Sequence, residues 1–212
     1  RDSSMNHQPQ LIWDKGSAYD LFVSLSILHE PEEFGLRPSW AAGVRSRLPI
    51  HLRDVLDQTQ KFLNVPLRFI YELPEPKDAA VVIEVLEALP PEDRLPAIYF
   101  GTINSEARRA YRDLLLSLDG KQRLTAATEV QIKEGYRPQN RATRQVIRAL
   151  FVAWVDRKQF GIDLLDALKA YVENFYQEEE IRIIPAQETA LTKAQEMSET
   201  TVSYTHLRAH ET

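Results

Sequence analysis

Apolar residues in this chain recur at intervals of three and four over one stretch after another, a period that suits helices and not strands. Ala107, Ala110, Tyr111, Leu114, Leu115 and Leu118 form one such stripe. Val146, Ile147, Leu150, Phe151, Trp154 and Val155 form a second, within a helix expected over 141–158. Val81, Val82, Val85, Leu86 and Leu89 follow Asp78, a good N-cap, and Asn104 or Ser105 is placed to cap the stripe that starts at Ala107. Leu164, Leu165, Leu168, Tyr171 and Phe175 continue the pattern toward Ile184, with Gly161 read as the break before them and Pro185 as a kink or interruption after them. Between Ala18 and His29 the apolar residues cover most of the helix surface, which places that helix centrally, with Ser17 as its expected cap. The expected fold is an all-α array of about eight helices with short connections punctuated by Pro and Gly. Residues 67–73 (LRFIYEL) fit a strand or a helical turn equally, and residues 10–13 read as one short orphan strand near the N-terminus.

Composition limits what such an array can do. The 212 residues suffice for a packed core, and 43% hydrophobic with 27% charged residues marks a globular chain. The absence of cysteine excludes disulfides, thiolate metal ligands and cysteine nucleophiles. Apolar runs such as 149–155 fall far short of the ~20 residues that cross a bilayer, and RDSSMNHQPQ lacks the pattern of a secretory signal, so a cytoplasmic protein without membrane contact is expected. A net charge of −5 makes the chain a poor counterion for a phosphate backbone. Residues 1–9 read as a disordered start and 10–200 as one helical domain. Residues 201–212 lack the helical period, and SYTHLRAHET resembles translated sequencing-adaptor sequence, which makes 201–212 a non-native tail and deprives His206 and His210 of meaning as a metal pair.

No nucleophile elbow, phosphate loop or dinucleotide fingerprint is present, and neither catalytic residues nor a cofactor or metal is expected. His29, at the end of an apolar helix, is suited to its last carbonyls and its dipole. Glu30, Glu32 and Glu33, like Glu178, Glu179 and Glu180, read as solvated runs. Arg141, Arg144 and Arg148 fall on one helix face, either for phosphate contact or as its wet side. The densest group of special residues is Trp13, Tyr19, Phe34, Arg37, Trp40 and Arg45, with Arg47 nearby. Such a set suits a ligand pocket or interface, or else a core edge with arginines stacked on rings.

The same stretch, LIWDKGSAYDLFVSLSILHEPEEFGLRPSWAAGVRSRLP, resembles the opening of a group of bacterial ArsR-type winged-helix regulators, and the similarity continues more weakly to EEEIRIIPAQETALTKAQE. The resemblance implies an amino-terminal regulatory domain for dimerisation or ligand sensing. It also implies a homodimer, and a carboxy-terminal winged helix, absent from this sequence, as both the packing partner and the only route to DNA. Two other readings stay open: a helical enzyme, which requires converging carboxylates or His29 and His51 together, and a free-standing helical interaction module.

Overall fold

The computed structural model describes residues 14–102 and 105–209, with side chains as far as 197, and among them the fold is entirely helical. The helices are α1 (Ser17–His29), α2 (Pro38–Arg45), α3 (Ile50–Phe62), α4 (Leu67–Glu72), α5 (Ala79–Ala88), α6 (Pro91–Phe100), α7 (Glu106–Leu116), α8 (Ala126–Gly135), α9 (Arg144–Val155), α10 (Arg157–Tyr171) and α11 (Gln177–Ala209). Short 3-10 turns lie at Pro31–Phe34 and Gln139–Arg141. Residues 67–73 resolve to the helical alternative, α4. Residues 10–13, with the expected strand and Trp13, lie outside the described residues.

Central α10 packs against α6 and α3, and α9 lies on α3. Trp154 is fully buried, its ring edge-on to Tyr99 and Phe100 at 5.7 and 5.6 Å between centroids. Edge-to-face pairs of this kind add to the area the rings bury. Arginines close helix ends across the core: Arg94 Nε donates to Leu86 O at 2.9 Å and Arg157 Nη1 to Leu116 O at 3.0 Å. Asp78 and Ser105 cap α5 and α7 as expected, accepting from Val81 N and Arg108 N.

Three boundaries differ from the sequence pattern. The helix expected over 141–158 is two: Thr143 caps α9 at Val146 N, and Asp156, at φ −120 and ψ 49, turns the chain directly into α10. Arg141 therefore precedes α9, and the expected row with Arg144 and Arg148 is broken. Gly161 sits inside α10 and ends nothing. A Cβ there would lie 1.9 Å from Pro91 O, so the missing side chain is what lets α6 and α10 approach. Pro185 lies within α11 without ending it; the carbonyl it deprives belongs to Ile181, which is exposed, so solvent replaces the lost bond. The helix persists to Ala209, through residues whose pattern predicts none, since each residue added to an existing helix gains a bond for little entropy.

A polar node fastens α1 to its surroundings. Lys77, at φ +54 in the turn before α5, is buried, and its Nζ donates to Asp14 Oδ1 at 2.6 Å and Tyr71 O at 2.7 Å, 4.9 Å from the Tyr71 ring centroid. Tyr19 donates to the other oxygen of Asp14. Gly16, not Ser17, occupies the cap position of α1, because a side chain there would meet Lys77 Cβ at 2.5 Å. Ser17 instead donates to Glu180 Oε1 at 2.5 Å, the oxygen that also accepts from Ala79 N. Tyr176, in the π-helical turn Val172–Tyr176 joining α10 to α11, donates to Ser17 O, and Gln187 bonds Asp20. Asp14, Gly16, Ser17, Tyr19 and Asp20 of the WDKGSAYD string thus all serve one joint between α1, the Lys77 turn and α11.

Candidate functional site

The C-terminal turn of α1 presents His29, and the 3-10 turn after it brings α2 back alongside. Between them lies a cavity of about 480 Å³ walled by Leu28, His29, Pro31, Pro38, Ala41 and Arg45, with Glu30, Glu32 and Glu33 also on its lining. His29 also lines a second cavity of about 480 Å³, toward Ser26, Gln60, Asn64 and Arg141. His29, with Glu30 and Glu33, therefore forms the partition between two concave surfaces.

Asp57 on α3 organises this partition. Its Oδ1 accepts from Arg45 Nη2 at 2.8 Å and lies 3.5 Å from His29 Nδ1, while Arg45 Nη2 also reaches Leu28 O at 3.3 Å. His29 complements the dipole from the last turn of α1, but Arg45 satisfies the carbonyl expected for it. Arg45 Nε is inaccessible to solvent and makes no hydrogen bond, while His29 Nδ1 faces the Asp57 carboxylate. The cavity wall thus combines a guanidinium and an imidazole with the carboxylates of Glu30, Glu32 and Glu33.

Burial pushes the Asp57 carboxyl upward, but His29, Arg45 and Lys61 outweigh it and hold the group below its ordinary value. A carboxyl depressed in the folded state adds stability that is whole above its unfolded value, about pH 4, and lost as pH falls through the folded one. Asp57→Asn is therefore expected to lower the urea midpoint at neutral pH and to flatten its acid decline; an acid limb identical to wild type would exclude this role for Asp57.

The structure disperses the rest of the sequence-selected set. Tyr19 belongs to the Asp14 node. Trp40 packs edge-on against Phe175 at 5.9 Å, Phe34 is half exposed, and Arg37 is exposed at the start of α2. Only Arg45 faces the cavity. The cations found over rings among the described residues are Lys77 and Arg108, not Arg37, Arg45 or Arg47; Arg47 reaches Asn174 O at 3.4 Å instead. His51 is exposed on α3 six residues before Asp57, roughly 9 Å along the axis and on a different face, so the histidine pairing required by the enzyme reading is not supported by this placement. Asp57 and Gln60 are the site residues that the pattern missed, since on α3 they read only as its polar face. No group of three or more His, Asp or Glu able to hold a metal occurs among the described residues, and none of their helices is long and apolar enough to cross a membrane.

No family model matches the chain, and no curated protein or solved structure matches it significantly.

Proposed function

We propose that this chain is the amino-terminal regulatory domain of a bacterial ArsR-like transcriptional regulator, a cytoplasmic homodimer in which a small polar ligand held between α1 and α2 adjusts a carboxy-terminal winged helix. The observation that carries the reading is the placement of the two resembling strings. FGLRPSWAAGVRSRLP supplies the Arg45 wall of the cavity, and WDKGSAYDLF supplies the joint that ties the other end of α1 to α11. One helix, α1, thus spans from ligand cavity to the base of the helix that leads onward along the chain, and rigid helices with discrete packing arrangements are suitable carriers of coupling.

The test is the reading frame beyond Thr200 and the protein it encodes. The account expects about 100 further residues with a winged-helix pattern, a size suited to one more domain, and retarded migration of duplex DNA by the longer protein but not by residues 10–200. A longer protein with no affinity for DNA, or a genuine stop at Thr200, would overturn the proposal.

A further inference from the structure

A third concavity, of about 200 Å³, lies on the far side of α3, where the 63–66 link, α4, α6 and α7 meet. Arg68 of α4, Arg108 of α7 and Arg137 from the segment after α8 line it, over an aromatic wall of Phe62, Tyr99 and Phe100, and no Asp or Glu lines it. Among the described residues, none of the three guanidinium groups is paired with a carboxylate. In a chain of 31 acidic and 26 basic residues, three uncompensated arginines on one small concave wall make a focused positive field.

Each arginine is held by contacts that leave donors over. Arg68 Nη1 donates to Thr102 O at 2.5 Å, Arg137 Nη1 to Glu134 O and Tyr136 O at 2.8 and 2.9 Å, and Arg108 lies 5.5 Å from the centre of the Phe100 ring. Behind the wall, the Tyr111 hydroxyl is buried beside Tyr99. Burial pushes the Tyr111 phenol up to about 12, against the pull of Tyr99, Arg108 and Arg137, so two of the three arginines are felt at this inner point. Positive charge and fixed forks of donors on one concave wall are the equipment of an anion site.

We infer that Arg68, Arg108 and Arg137 form a binding site for a small oxyanion, a phosphate or carboxylate group, separate from the Arg45 cavity and independent of the regulator reading. The volume, below that of ordinary ligand pockets, restricts it to a single such group with a short appendage, while Phe100 and Tyr99 give that appendage an apolar face. Inorganic phosphate and malonate, titrated separately by calorimetry into the 212-residue chain at constant ionic strength, test this. Saturable 1:1 binding is expected for at least one of them, and the stronger identifies the preferred chemistry. Arg108→Gln should weaken it by about tenfold or more, the scale of a lost charged hydrogen bond. Arg68→Gln, on an exposed side chain whose loss leaves the fold intact, should weaken it too, while Arg37→Gln on distant α2 should not. Absence of saturable binding for both anions, wild-type affinity in the Arg68 and Arg108 variants, or binding confined to duplex DNA would overturn the inference.

Discussion

Gly161→Ala is expected to cost about 3 kcal/mol or more of stability, at the upper end of overpacking substitutions. Ordinarily the exchange of glycine for alanine within a helix is favourable, by roughly 1 kcal/mol. Here the added Cβ would meet Pro91 O at 1.9 Å and Pro91 C at 3.0 Å. Both are backbone atoms at the start of α6, so no side chain can rotate aside; α6 and α10 must separate. Arg94 Nη1, which reaches Gly161 O at 3.3 Å, would lose its partner in the same movement. Gly120→Ala is the control, because a Cβ there meets nothing within 4 Å. Urea unfolding of the two variants should differ by nearly the whole effect, with Gly120→Ala close to wild type; equal midpoints would show that α6 and α10 do not pack as described.

Lys77→Met is expected to be about as damaging, roughly 3–5 kcal/mol, the range for removing one member of a buried ion pair. The Lys77 and Asp14 side chains are only 7% and 18% exposed, so the carboxylate left behind can recover little solvation. Tyr19 alone would remain to Asp14, and the Tyr71 carbonyl would lose its donor. The substituted methionine keeps the backbone at φ +54 and nearly the same side-chain length, so the loss reports the charge and its bonds. Since the penalty comes from the stranded charge, Asp14→Leu with Lys77→Met should be much less destabilised than the sum of the single changes. A strictly additive double variant would contradict the description of this node as a coupled pair.

Most helices could be read from the period of their apolar residues, because that period records which face is buried. The joints were less legible. Gly161 reads as a break, since sequence shows the absence of a side chain but not the backbone that needs its space. The true break, Asp156, carries no special composition. LRFIYEL was too short for its period to decide, and α4 is helical between Pro66 and the bend at Leu73. Of the candidate site, Arg45 was singled out in a cluster that the fold then disperses. Nearness along the chain brought Trp40 and Arg45 together, whereas nearness in space joins Arg45 to Asp57 and Trp40 to Phe175. Arg68, Arg108 and Arg137 lie far apart in sequence, on α4, on α7 and in the segment after α8, and only the meeting of these elements makes them one wall.

The central claim is that the Arg45 cavity and the onward path through α11 belong to one regulatory device. Fluorescence anisotropy of labelled duplex DNA with the longer protein tests it most directly, comparing wild type, Arg45→Ala and a control outside the cavity, Arg53→Ala. The account predicts DNA binding whose affinity shifts by about fivefold or more with Arg45→Ala, the lower range of allosteric coupling, and stays unchanged with Arg53→Ala. Identical affinities in all three proteins, or no binding by any, would contradict it.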